Sequence, residues 1–421
     1  MSEIKSITSV PVSELKGKRV IVRCDFNVQV FEGKIMDDLR VRKTLPTIQF
    51  LRDAGARIIL ISHIESKDGT GLRPICEHIN KVYSEKTGTV TFIEDFRAVG
   101  GADIRAKEII NAMKDGGVVL LENLRIDGGE KSNDPEFAKL LALYAEVYVN
   151  DAFAVSHRAH ASVVGLSALF PNTRYAGIQL MSELDHLKVT FNAPHPFVFI
   201  LGGAKFETKL PLIQKFAQAD SILLGGALLN DVLKAKGYNV GKSLVSSGVD
   251  TAGNKIDFTP IIENPKLIIP DDVIVSGPVD GGTGADVVIG TSTKLISEVG
   301  DEDMIMDVGP SMNTKLAEVI QNAKFILWNG PMGNYEKGFK DQTIEMAKLV
   351  TTACNRPDAP VQAVLGGGDT TAAMVELGLE DQSDKGNGAP DAGSMFISTG
   401  GGAMLEYLLN ESLPGVEALK G

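Results

Sequence analysis

Short apolar runs alternate along the chain with longer stretches whose apolar residues recur every three or four positions. A four- to six-residue apolar run followed by such a stretch reads as a buried strand and then an amphipathic helix. Its repetition predicts an α/β fold built on parallel sheets covered by helices. In the first half the expected strands are Arg19–Cys24, Arg57–Ser62, Val90–Ile93, Val118–Leu121 and Val147–Asn150, with helices over Arg42–Ala54, Arg73–Ser84 and Pro135–Ala145. These strands run into polar tips: Asp25-Phe26-Asn27, His63, Glu122-Asn123-Leu124-Arg125 and Asn150-Asp151-Ala152-Phe153. Ligands of open α/β sheets bind beyond the carboxyl ends of the strands, so these tips are candidates by position and by chemistry.

The second half repeats the pattern with glycine at the tips. Phe197–Leu201 leads into Gly202-Gly203-Ala204-Lys205, Ser221–Leu224 into Gly225-Gly226-Ala227, and Met304–Met306 into Asp307-Val308-Gly309-Pro310. Phe325–Trp328 leads into Asn329-Gly330-Pro331-Met332-Gly333, the run from Val361 into Gly366-Gly367-Gly368-Asp369-Thr370, and Met395–Ile397 into Ser398-Thr399-Gly400-Gly401-Gly402. Six such turns predict a backbone-lined surface for a phosphorylated ligand. The sharpest is Val361–Thr371, read as strand, glycine turn and helix start. Glycines there let a phosphate approach the free N–H groups of a helix N-terminus, and Asp369 is placed to hold the Mg²⁺ that travels with a nucleotide. An ordinary tight turn capped by Asp369 is the competing reading. Between the halves, Leu180, Leu184, Leu187 and Phe191 keep helical spacing until Pro194 and Pro196 stop it, which predicts a helical domain boundary.

Composition narrows the class. A chain of 421 residues exceeds one ordinary core, and 43% hydrophobic with 23% charged residues is the balance of a globular protein. No apolar run approaches the roughly 20 residues of a membrane helix. Met1 to Val10 lacks the apolar core of a secretory signal, and Cys24, Cys76 and Cys354 are scattered, so a reducing cytosol is expected, without disulfides or zinc. A net charge of −12 disfavours nucleic acid as a partner. Arginine, Arg356 excepted, is confined to the first 175 residues, whereas lysine is not. Its rigid fork suits carboxylate and phosphate, so the first half is expected to grip a small anion with side chains. His157-Arg158-Ala159-His160 is a basic cluster of that kind, with Arg158 the firmest cation. Gly237–Ser243 contains Gly-Lys-Ser with one residue too few for a P-loop, and no dinucleotide fingerprint follows any of these strands. Ser383–Ala392 reads as an exposed polar loop.

Taken together and in order, these segments resemble phosphoglycerate kinases over essentially the whole chain. The motifs are Arg23–Asn27, Leu120–Arg125, Val149–Phe153, His157–His160, Gly202–Lys205 with Lys209, Trp328–Pro331 with Glu336, Gly366–Thr370 and Ser398–Ala403. The resemblance implies two Rossmann-like parallel-sheet domains facing a central cleft. It places an N-terminal substrate domain over 1–175, an interdomain helix over 176–192, a nucleotide domain over 193–403, and a tail over 404–421 that returns to the first domain. The implied reaction is reversible phosphoryl transfer between ATP and 3-phosphoglycerate, giving ADP and 1,3-bisphosphoglycerate, with Mg²⁺, in a cytoplasmic monomer that closes about a hinge. Carried over by position, Asp25, Phe26, Asn27, Arg40, His63, Ser66, Arg125 and Arg158 bind the glycerate substrate. Lys209, Gly309, Asn329, Glu336, Gly367, Gly368, Asp369 and Thr370 bind the nucleotide, and Asp369 the metal. Arg40, Lys205 and Lys209 serve catalysis.

One segment departs from the family pattern. Where the family reads His-Leu-Gly-Arg-Pro, this chain reads His63-Ile64-Glu65-Ser66-Lys67, exchanging a phosphate-binding arginine for Ser66 and placing an acid beside it. Glu65 is expected to set a like charge near a dianion, with Lys67 or Arg73 compensating. The departure keeps open a non-catalytic nucleotide or metabolite sensor. A two-domain nicotinamide dehydrogenase is the other alternative, and it lacks its fingerprint.

Overall fold

Two parallel sheets carry the chain. The computed structural model describes all residues except 1–3, 67–68, 98–101, 279–288, 359, 380–394 and 421, so Lys67 and the 383–392 loop lie outside the described residues. The first sheet uses β1 (Arg19–Arg23), β4 (Arg57–Ile61), β5 (Val90–Ile93), β6 (Val118–Leu121), β7 (Val147–Asn150) and β8 (Arg174–Ala176), while β2 (Val30–Phe31) and β3 (Lys34–Ile35) form a small hairpin. Its order is β5-β6-β4-β1-β7-β8, parallel throughout. Both faces are covered, which is why the strands read as unbroken apolar runs: Val20, Ile58 and Val118 are buried on one face and Ile21, Ile59 and Val119 on the other. Register sets the tips. Arg23 pairs with both Ile61 and Asn150, so the residues after β1, β4 and β7 emerge side by side at one sheet edge.

The helix expected from Arg42 begins earlier and runs Leu39–Asp53. Asp37 Oδ1 accepts the N–H of Leu39 at 2.8 Å, an acceptor the apolar spacing does not reveal. Arg40 is thereby brought into the first helical turn. The expected helix from Arg73 is two helices, Arg73–Val82 and Ser84–Thr87, broken at Tyr83.

The second parallel sheet uses β9 (Phe197–Leu201), β10 (Ser221–Leu224), β11 (Leu267–Ile268), β15 (Phe325–Asn329), β16 (Gln362–Gly366) and β17 (Met395–Ile397), in the order β11-β10-β9-β15-β16-β17. A separate antiparallel sheet, β13-β12-β14, is made of β12 (Asp272–Pro278), β13 (Ile289–Leu295) and β14 (Met304–Val308). The run at Met304 therefore does not belong with the other five glycine-ended strands. Its partner β12 alternates, burying Val273 and Val275 but leaving Ile274 and Ser276 half-buried, so no continuous run announced the extra sheet.

The chain divides into two compact units, Met1–Leu184 with Asn410–Gly421, and Asp185–Leu409, the division falling inside the helix Ile178–Val189. Asp151, at the tip of β7, holds the start of that helix by accepting the N–H groups of Gln179 (2.9 Å) and Leu180 (3.2 Å), and burial raises its carboxyl to a pKa of about 7. The C-terminal residues are tied into the first unit: Ser156 O accepts from Gly415 N at 2.8 Å, and Ser167 Oγ donates to Ala418 O at 2.8 Å. Among the described residues no helix is long and apolar enough to cross a membrane.

Candidate functional site

In the first unit the strand tips assemble a cationic patch. Arg40 Nη1 lies 3.2 Å from Asp25 Oδ2 and donates to Asn27 O at 3.1 Å. Asn27 Oδ1 accepts the N–H of Glu65 at 2.8 Å, and Asn123 receives Ile64 N–H at 3.3 Å while donating Nδ2 to Ile64 O at 2.9 Å. The loop after β4 is thus pinned between the loops after β1 and β6. Arg125 and Arg158, like Arg40, act electrostatically on His63, so the structure gathers the three arginines the resemblance singled out. Arg158 is exposed, with Nε 3.2 Å from His157 Nε2.

His63 is buried and neutral. Burial first, and then Arg23, Arg125, Arg158 and Arg40, hold its pKa well below the ordinary histidine range. Its Nδ1 lies 3.1 Å from Arg23 Nη2, which can only donate, so the proton sits on Nε2. His63 offers a neutral N–H donor and no charge. Phe26 is fully buried in the core, with its N–H on Ser62 Oγ at 2.9 Å, so it supports the tip through packing and offers no side chain to a ligand. Ser66 Oγ donates to Thr70 O at 2.8 Å, closing its own loop.

The departure at Glu65 resolves differently from the sequence expectation. Glu65 Oε1 accepts from Arg125 Nη1, and that hydrogen bond lowers the carboxyl pKa, so the acid is not left facing an anion site alone. Arg73 does not reach back: it pairs with Glu94 and lies 4.7 Å over the Phe92 ring. The sequence reading also missed Glu130, which is fully buried and accepts Ser162 Oγ at 2.7 Å and Ser162 N at 2.9 Å. It lies 3.9 Å from Arg23 Nη2 and supplies the counter-charge for a guanidinium that is itself fully buried. Nothing in its surroundings along the chain signals that role.

In the second unit the glycine turns border a cavity of about 280 Å³. Gly203, Ala204, Gly226, Met332, Glu336 and Asp369 are among its walls. Several glycines are there because turn packs on turn, a reason distinct from ligand approach: a Cβ at Gly202 would collide with the carbonyl oxygen of Pro331, and one at Gly330 with that of Gly202. Gly367, at φ 101°, turns β16 into the helix Gly368–Glu376, and nothing lies within 4 Å of where a Gly368 Cβ would project. Among the described residues no side chain is recorded capping that helix, whose first N–H groups suit an anion.

Lys209 Nζ donates to Gly202 O at 2.5 Å and lies beside Gly203. Burial lowers its pKa to about 8, against the opposing pull of Asp369. Asp369 lines the cavity without an ion pair among the described residues, and burial and then the Glu336 charge raise its pKa. A half-buried carboxylate beside a cavity is an oxygen donor of the kind a hard divalent cation takes, so this residue fits Mg²⁺. Lys205 is exposed and holds a left-handed backbone at φ 64°, unusual for a side chain of this size, ahead of the helix Phe206–Lys215.

Of the residues expected at the nucleotide, Glu336 and Asp369 line the cavity, while Lys209, Gly309, Asn329, Gly367, Gly368 and Thr370 are not among its walls. Gly309 packs against Asp272; Asn329 is buried with Nδ2 3.7 Å from Met404 Sδ; and Thr370 Oγ1 accepts Gly330 N–H at 3.0 Å. The last two brace the turns without walling the cavity. Asp307, overlooked as a ligand-pocket residue, does line it, with its carboxyl buried and raised to a pKa of about 7.

The phosphoglycerate kinase family model matches residues 10–411. The chain is 36% identical over 421 residues to a phosphoglycerate kinase of Wolbachia pipientis subsp. Culex pipiens, covering 98% of this chain and 99% of the relative. It is 37% identical over 420 residues to one of Caulobacter vibrioides, covering 98% and 99%. The solved phosphoglycerate kinase from Coxiella burnetii superposes with a TM-score of 0.75 at 31% identity, over 99% of each chain. That from Pyrococcus horikoshii OT3 gives 0.75 at 28%, over 99% of this chain and 98% of the other.

Proposed function

The chain belongs to the phosphoglycerate kinase family, and we infer from that membership that it catalyses ATP-dependent phosphoryl transfer with 3-phosphoglycerate. Neither the dehydrogenase nor the sensor reading has support in its relatives. We propose that the arginine patch of the first unit binds the glycerate substrate and the glycine-turn cavity of the second binds the nucleotide. The observation that carries this division is chemical. One unit presents forked cations, Arg40, Arg125 and Arg158, and the other presents helix N–H groups, a lysine and a cavity-lining carboxylate.

Each group then has a part. Arg40, Arg125 and Arg158 hold the substrate's phosphate and carboxylate by charge-assisted hydrogen bonds, and His63 adds a neutral N–H. The acceptor carboxylate is ionised at pH 7, so no general base is required. What remains is in-line placement, charge stabilisation and exclusion of water. Lys209 and the N-terminus of Gly368–Glu376 neutralise nucleotide phosphates, and Glu336 accepts from the ribose. Lys205 and Arg40 stabilise the phosphoryl group in transfer. Asp369 would hold Mg²⁺, which would supply neutralisation of the nucleotide's phosphate charge. Ligand binding brings the units together about the helix Ile178–Val189, and the enzyme works as a cytoplasmic monomer. Turnover of 3-phosphoglycerate with MgATP, followed as ADP release, tests the reading. Nucleotide binding without turnover at saturating substrate would restore the sensor.

The lowered pKa of Lys209 makes nucleotide binding pH-dependent. The charged ammonium is the binding form, and it is lost as pH rises through about 8. Between pH 7 and 9 its charged fraction falls roughly tenfold, so ADP affinity falls by up to about that factor. Calorimetry in buffers of different ionisation enthalpy should show proton uptake on binding near pH 8. Lys209→Arg, charged throughout, should flatten the profile.

A further inference from the structure

We propose that Glu65 is a tethered occupant of the anion site: a carboxylate of the chain itself that holds Arg125 until the substrate displaces it, and so sets the affinity for 3-phosphoglycerate. This rests on the reading of Arg125 as a substrate ligand. The Arg125 side chain is only 7% exposed, whereas that of Glu65 is 60% exposed. Nη1 of Arg125 donates to Glu65, while its buried Nε and Nη2 have no partner among the described residues. A guanidinium so placed needs a counter-charge, and Glu65 is the acid that supplies it.

The loop is built for exchange. Its backbone is fixed by Asn27 and Asn123, through Glu65 N, Ile64 N and Ile64 O, whereas the Glu65 side chain reaches the arginine from solvent. Withdrawing the carboxylate therefore breaks one ion pair whose acid is the solvent-facing member, and needs no backbone rearrangement. Because Nε and Nη2 are buried, the Nη1 group that Glu65 holds is where an incoming oxyanion docks. Once it docks, two anions share one guanidinium, and Glu65, being the exposed one, leaves. The positive charge of Arg158 and Lys131 also acts on Glu65, so its carboxylate screens more of the patch than Arg125 alone. A carboxylate held by a short fixed loop competes at a high effective concentration, which raises the KM for substrate.

The test is the KM for 3-phosphoglycerate at saturating MgATP in Glu65→Gln, Arg125→Lys, Arg125→Ala and the Glu65→Gln/Arg125→Ala double variant, with melting temperatures as the check on folding. Glu65→Gln should lower KM roughly 3–10-fold. Arg125→Ala should raise it about 10–100-fold, with Arg125→Lys between. In the Arg125→Ala background the Glu65 substitution should lose its benefit. An unchanged or higher KM in Glu65→Gln, alongside a raised KM in the arginine variants, overturns the tethered occupant and leaves Arg125 as a ligand. Unchanged KM in well-folded Arg125→Ala and Arg125→Lys overturns both.

Discussion

Lys205→Ala should lower kcat by a factor of about 10²–10³ and leave nucleotide affinity nearly unchanged. Lys205 is exposed and left-handed in backbone, and its proposed contact is with the group in transfer, so its loss should spare ground-state nucleotide binding. An interaction made chiefly with the moving phosphoryl group appears in kcat and not in binding. Loss of one transition-state charge partner is worth about 3–4 kcal/mol, which sets the size of the drop. Alanine at this φ carries much the same backbone strain as lysine, so the fold is not the confounding variable, and an unchanged melting temperature checks that. Single-turnover kinetics and ADP titration together decide it. A kcat within threefold of wild type removes Lys205 from the mechanism.

Asp369→Asn should abolish the ability of Mg²⁺ to strengthen ADP binding. The carboxylate lines the cavity, so in the metal-free protein its negative charge repels a polyphosphate. Asparagine removes that repulsion together with the metal ligand. MgADP affinity should then fall about 10–100-fold, the worth of one interaction with a charged group. Metal-free ADP should bind as well as before or better. Opposite signs with and without Mg²⁺ separate a metal ligand from a residue that merely shapes the pocket. Equal losses in both conditions would withdraw the metal assignment.

Unbroken apolar runs were legible because both faces of each parallel sheet are covered, and their polar ends located the tips. The antiparallel sheet was not, since β12 alternates and mixes valine with serine and glycine. The arginine excess of the first half was legible as a number and ambiguous as a meaning. Arg19 pairs with Glu146, Arg42 with Asp38, Arg57 with Asp115 and Arg97 with Asp95, so much of it builds structure. Arg23 belongs to a motif, yet its guanidinium is spent on Glu130, Ser162 and the carbonyl of Cys24. Glycine turns signalled a phosphate site, while Gly202 and Gly330 are small because they touch neighbouring turns. Glu65 stood out as an unexpected acid; its partner, 60 positions along the chain, could be found only in three dimensions.

The division of labour between the units is tested most directly by hydrogen–deuterium exchange of the intact protein with one ligand at a time. 3-Phosphoglycerate alone should slow exchange in residues 23–27, 62–66, 122–126 and 157–160 and leave the second unit as it was. MgADP alone should slow exchange in residues 203–209, 332–336 and 366–371 and leave the arginine patch as it was. Protection of the glycine-turn cavity by 3-phosphoglycerate, or of the arginine patch by MgADP, would contradict the assignment of substrate and nucleotide to separate units.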